Sequence, residues 1–210
     1  MNKYLRAIIP LSLLFTVQLY AQSADAVMNK VRQKYESLKN VCADFEQTFV
    51  WKLAEEQRVV RGSICAQDGV RFRIDTPDQF IVTDGKVVWT LNKGTRQVMV
   101  DNATAASGDH PFLKEFMDKY NNDYTATFVT EQPSPEVYAV LLTAKSENQF
   151  VPRVALLVDK KQLLLREILQ TDINGNQTRY VMSNINTEAK LTASDFQFQK
   201  SGDFEIIDLR

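Results

Sequence analysis

The stretch Phe80-Ile81-Val82-Thr83-Asp84-Gly85-Lys86-Val87-Val88-Trp89 decides the fold. Two apolar runs rich in β-branched and aromatic residues flank Asp84-Gly85, and glycine there accepts the positive φ of a tight hairpin. Strands joined so closely run antiparallel. The same punctuation recurs along the chain at Asp68-Gly69, Thr76-Pro77-Asp78, Asn92-Lys93-Gly94 and Asp172 to Asn176. Between these signals the spacing predicts short strands near Arg58–Ala66, Val70–Asp75, Phe80–Thr83, Val87–Leu91 and Gln97–Asp101, all in the first half of the chain. In the second half it predicts them at Tyr124–Thr130, Val137–Ala144, Arg153–Asp159, Leu163–Gln170, Gln177–Asn184 and Phe196–Gln199.

Working outward, the stretch Asp44 to Trp51 alternates with period two and extends the sheet upstream. Ahead of it, Ala24, Val27, Met28, Val31, Tyr35 and Leu38 fall at helical spacing, with Asp25 in the first turn and Lys39 near the end. A second helical pattern, Phe112, Leu113, Phe116, Met117 and Tyr120, follows the small polar segment 101–109 and Pro111. The order helix, strands, helix, strands lacks βαβ alternation. It defines an α+β chain with a strongly curved or nearly closed antiparallel sheet. The segment from Asp101 to Tyr120 is expected to be a lid.

At its start the chain carries Lys3 and Arg6, then an apolar stretch to Leu19, then Tyr20-Ala21 before the polar Gln22-Ser23. This reads as a cleavable signal peptide, residues 1–21, cut after Ala21, leaving a single domain, 22–210. The stretch is short for a membrane span. Lys plus Arg number 25 against 26 Asp plus Glu, so no net field recruits nucleic acid or an anionic surface.

The search for catalytic groups returns little. His110 is the one histidine in 210 residues; with Asp109 it would make a general base, but its setting reads as a loop before a helix. Asp44 and Glu46 share a strand face and read as solvated rather than catalytic. There is no Walker phosphate loop. Two thiols and one histidine make a poor zinc shell. The chain is read as a non-enzyme without a cofactor.

Aromatic residues carry the signal instead. Each of Phe45, Phe49, Trp51, Phe72, Phe80, Trp89, Phe112 and Phe116 taken alone reads as core. Taken together, large side chains on the hollow of a one-layer sheet with two helices to cover it leave room for an apolar cavity. The candidate lipid-binding set is Phe45, Phe49, Trp51, Phe72, Ile74, Trp89, Leu91, Phe112, Phe116 and Met117.

Cys42 and Cys65 lie in a chain bound for an oxidising compartment. A hairpin between 43–51 and 58–66 with its loop centred near Leu53 and Ala54 sets the two opposite each other, which favours a disulfide over two separately buried thiols. A slip of one residue would send them to opposite faces.

Ala43-Asp44-Phe45-Glu46-Gln47-Thr48 resembles the Ala-x-Phe-x-Gln-Thr pattern of the outer-membrane lipoprotein carrier family (LolA), and Phe80 to Trp89 resembles its Val-Ser-Asp-Gly-Lys-x-x-Trp hairpin. Gly62, Phe72-Arg73 and Val98 fall at similar spacing, Pro111-Phe112 is similar to the start of its middle helix, and Phe196-Gln197-Phe198 to its final strand. The order holds over essentially the whole mature chain. One departure is Gln67-Asp68-Gly69, where members carry Lys-Arg-Pro; the arginine of that motif is associated with latching the lid, a role open here to Arg71, Arg73 or neither.

The resemblance implies an incomplete β-barrel covered by an N-terminal helix and a central lid helix. It implies a monomeric periplasmic chaperone that receives lipoproteins from an inner-membrane lipoprotein-releasing transporter and passes them to an outer-membrane lipoprotein receptor. At about 0.8 kcal/mol per methylene, an acyl chain of roughly fifteen represents on the order of 12 kcal/mol. Several chains exceed the ceiling of about 20 kcal/mol on non-covalent affinity, so an energised partner has to load the carrier. The rival readings are a carrier or sensor of another amphiphile such as a glycolipid, a hydrolase using His110, and an adaptor with a filled core.

Overall fold

Ser23 starts the first helix by accepting a hydrogen bond on its hydroxyl from Ala26 N–H at 3.2 Å, which satisfies one of the helix's orphan donors. In the computed structural model, which describes residues 22–103, 120, 122–199 and 202–210, this helix, α1, spans Ala24–Ser37. Its stripe of Val27, Met28 and Val31 is wholly buried, worth about 1.5–3 kcal/mol per side chain. Two polar contacts fix its ends. The Asp25 carboxylate accepts from Ala126 N–H at 3.4 Å, and the Tyr35 hydroxyl oxygen accepts from Leu165 N–H at 3.0 Å.

Twelve strands form one sheet among the described residues. They are β1 (Asn40–Trp51), β2 (Glu56–Gln67), β3 (Arg71–Asp75), β4 (Gln79–Thr83), β5 (Val87–Asn92), β6 (Gln97–Asn102), β7 (Tyr124–Phe128), β8 (Val137–Ala144), β9 (Arg153–Asp159), β10 (Leu165–Thr171), β11 (Gln177–Asn186) and β12 (Glu205–Asp208). The spatial order is β12-β6-β5-β4-β3-β2-β1-β11-β10-β9-β8-β7, so the curved sheet stays open between β12 and β7. From β1 to β6 and again from β7 to β11, consecutive strands pair antiparallel as the turn signals predict. At the deciding hairpin Gly85 has φ +92°, while the Asp84 carboxylate accepts from Lys86 and Val87 N–H at 2.8 and 2.9 Å.

The chain's last strand departs from the expected pattern. Residues 196–199 are not a strand. Thr192 and Asp195 cap each other's backbone around a 3-10 turn, Ala193–Phe196, which drives Phe196 into full burial. The edge strand comes later, as β12, and pairs parallel to β6, because the chain crosses a face of the sheet after β11 instead of turning back beside it.

Registers define two faces. The face bearing Val41, Ala43, Phe45, Phe49 and Trp51 on β1 continues as Ile64 and Ala66 on β2, Phe72 and Ile74 on β3, and Ile81 and Thr83 on β4. In the other direction it runs through Met182 and Tyr180 on β11 and Ile168 on β10 to Leu156, Val140, Leu142 and Ala126. The helix α1 packs on this inner face over β7 to β10, forming the main core with Tyr120 and Tyr124. On the outer face a smaller cluster of Leu91, Val98 and Val100 lies against Phe80, Trp89, Phe198 and Phe204.

Candidate functional site

On the inner face, side-chain size sets where space remains. Ala43 stands opposite Ile64, Val41 opposite Ala66, and Ala66 opposite Phe72. Small side chains beneath the last turn of α1 leave a cavity of about 490 Å³, lined by Tyr35, Leu38, Val41, Ala43, Ile64, Ala66, Phe72, Leu165, Met182 and Ile185. That volume falls in the range of roughly 300–1,000 Å³ typical of small-molecule sites. Charged residues enter the lining too: Arg32, Glu36, Lys39, Asp68 and Arg71. Glu36, Lys39 and Asp68 are exposed, so the apolar interior opens on a polar rim.

Two buried tyrosines, Tyr35 in the lining and Tyr120 in the main core, hold their protons unusually tightly. Burial pushes the Tyr35 hydroxyl up to about 12, against a smaller lowering by Leu165 N–H. Burial also raises Tyr120 to about 12, with the Asp25 carboxylate adding to the shift and Arg32 opposing it. Both stay protonated and neutral at physiological pH, so Tyr35 adds no charge to the apolar wall.

Of the aromatic set read from sequence, Phe72 lines the cavity. Phe45, Phe49, Trp51 and Ile74 share its face but lie outside this lining. Phe45 bends over Gly62, its cross-strand partner, and a Cβ at Gly62 would stand 3.0 Å from the ring and collide with the Asp75 carbonyl oxygen. Only glycine fits there. Phe49 stacks on Trp51 with ring centroids 5.8 Å apart. Trp89 and Leu91 stand elsewhere: Thr83 pairs with Val88, so Val88 takes the inner face and Trp89 and Leu91 the outer cluster. Phe112, Phe116, Met117 and His110, with most of the expected lid, lie outside the described residues.

Sequence reasoning missed the aliphatic lining. Alternation could have found part of it, since Val41 and Ala43 precede Phe45 at period two. Tyr35, Leu165 and Met182 come from distant elements, which local periodicity does not bring together.

The remaining sequence candidates are engaged with partners of their own, Arg71 at the charged part of the cavity lining and the others away from it. Cys42 pairs with Cys65 across β1 and β2, and their sulfurs are bonded, with Cα atoms 4.1 Å apart. Arg73 points outward and pairs with Asp195 of the 3-10 turn at 3.3 Å. Arg71 donates to the Gln67 side chain at 2.7 Å. Asp44 accepts from the Asn184 amide and Glu46 pairs with Arg61 at 2.7 Å, so the two carboxylates are separately engaged.

An open antiparallel sheet wrapped on one side around a helix, with an apolar cavity under the helix end, is the class these observations define. The chain belongs to the family of the outer membrane lipoprotein carrier protein LolA, whose family model matches residues 36–199. It is 27% identical over 170 residues to an outer-membrane lipoprotein carrier protein of Chromobacterium violaceum, covering 80% of this chain and 81% of that protein. It is 26% identical over 197 residues to the carrier protein of Glaesserella parasuis, covering 89% and 88%. In fold it is similar to an uncharacterized conserved protein from Thermus thermophilus, at TM-score 0.58 and 13% identity, with 88% of this chain and 98% of that one covered. MucB also shares the fold, at TM-score 0.56 and 18% identity, over 87% of this chain and 65% of MucB.

Proposed function

We propose that this protein is a periplasmic carrier that shields lipoprotein acyl chains on the inner face of its sheet, taking them from an inner-membrane releasing transporter and giving them up to an outer-membrane receptor. The observation that carries this reading is the apolar cavity beneath α1 in a chain of the lipoprotein-carrier family. In this reading residues 1–21 are a signal peptide, and the mature protein acts as a monomer without a catalytic step. Phe72 is the wall residue, and Phe45, Phe49, Trp51 and Ile74 extend the apolar surface along the inner face beyond the cavity. Phe112, Phe116 and Met117 are proposed to complete the cover.

Half-buried apolar walls suit a carrier, because they hold a chain strongly enough to keep it from water yet leave it within reach of a receptor. The test is mass spectrometry of lipid and peptide retained by protein purified without detergent from its own host. A triacylated polypeptide is expected. Recovery of a glycolipid alone would replace lipoproteins as the cargo, and an empty protein that binds no lipopeptide would overturn the reading.

A further inference from the structure

Three turns meet at the end of the sheet away from the cavity. The β1–β2 turn follows Trp51, the β10–β11 turn spans Asp172 to Asn176, and the β8–β9 connection carries Phe150. They are joined to one another: Lys52 N–H donates to the Asn176 side-chain oxygen at 3.1 Å, and Ile173 N–H donates to the Phe150 carbonyl at 3.0 Å. The Asp172 carboxylate stiffens its own turn by accepting from Asn174 and Asn176 N–H at 2.8 and 2.9 Å.

On this braced rim, large apolar side chains face water. Leu53 is 92% exposed, Phe150 and Ile173 61% each, and Trp51 40%. A soluble surface scatters such residues singly, so a group of them on hydrogen-bonded neighbouring turns calls for a partner. The form of that partner follows from shape and charge. The side chains stand on or beside three separate turns rather than along one element, and a fluid apolar interior takes such scattered tips without needing matching pits. The turns also carry both signs, Lys52 and Lys145 against Glu55, Glu147 and Asp172, so they offer no polybasic attraction for anionic groups. Tryptophan beside aliphatic tips is the composition that settles at the boundary between headgroups and acyl chains.

We infer that this end of the sheet, through Leu53, Ile173, Phe150 and Trp51, docks directly on a phospholipid surface by shallow apolar insertion. From Trp51 the inner face of β1 continues through Phe49, then Gln47, whose amide donates to the Tyr180 hydroxyl at 2.8 Å, then Phe45 toward Ala43 and Val41 at the cavity, so a docked sheet would present a row of mainly apolar side chains from bilayer to cavity. The docking surface goes beyond the carrier reading and does not need the cargo to be a lipoprotein.

Flotation of the purified mature protein with phosphatidylcholine vesicles tests it. The native protein is expected to float, and the double variant Leu53→Asp, Ile173→Asp to float at least about tenfold less, since insertion scales with the apolar area buried. Leu209→Asp, at a 59% exposed site on the chain's last residues, is expected to float like the native protein. A native protein that stays with the pellet, a double variant that floats unchanged, or an equal loss in Leu209→Asp would each overturn the inference. Binding of a triacylated lipopeptide in the absence of vesicles, measured on the same proteins, separates the two proposals. The double variant should retain it, whereas loss of lipopeptide binding in the native protein would sink the carrier reading and leave the flotation result standing.

Discussion

Replacing both Cys42 and Cys65 with alanine, or reducing the bond, should lower stability without touching the cavity. The bond spans 23 residues of sequence, and the chain-entropy model assigns a loop of that size about 3 kcal/mol of constraint on the unfolded state. The pair sits on the outer face and ties the start of β1 to the end of β2, so the folded sheet keeps its register when the bond is lost. For a chain of this length each kcal/mol moves Tm by about 2–4 °C, which puts the expected drop at roughly 6–12 °C. Thermal unfolding followed by circular dichroism, with and without reductant, reads this directly, and lipopeptide binding at a temperature where both forms are folded should be equal. A shift under about 2 °C would refute the entropic argument and indicate that the β1–β2 hairpin persists in the unfolded chain. Equal stability together with lost binding would refute the placement of the bond away from the site.

Phe72→Glu should weaken lipopeptide binding while the protein remains folded, because its side chain lines an open cavity; Leu91→Ala, by contrast, empties the outer cluster and should cost about 2–5 kcal/mol in urea unfolding with binding intact. The two protonated tyrosines make stability fall at high pH. Tyr35 and Tyr120 hold their protons to about 12 in the folded protein but lose them near 10 when unfolded. The folded state therefore binds more protons between pH 10 and 12, and unfolding free energy should drop there by about 1.4 kcal/mol per pH unit for each; Tyr35→Phe should flatten part of that slope, and an unchanged profile would count against its burial. Arg73→Ala breaks a half-exposed ion pair with Asp195, so less than about 1 kcal/mol of global stability is at stake, yet amide exchange in residues 192–199 should quicken; unchanged exchange would show that the pair does not hold the crossing segment down.

Much of this architecture is local in origin. Asp84-Gly85, Asp68-Gly69 and the Asp172 to Asn176 turn punctuate strands whose alternation is visible in the sequence. The hairpin centred near Leu53 and Ala54 carries its own register, which is why Cys42 and Cys65 face each other. The helical stripe from Ala24 is legible for the same reason: an element that buries one face has to repeat its apolar residues at its own period. What only the tertiary structure decided is which face each strand turns inward. Parity passes from strand to strand through the register of every turn, and Thr83 pairing with Val88 sends Trp89 outward although its neighbours look equally apolar. The cavity was equally out of reach, because it arises from small residues, Ala43 and Ala66, meeting Tyr35, Leu165 and Met182 from elements far apart in the chain. A void is defined by what distant segments fail to fill, and no local pattern records it.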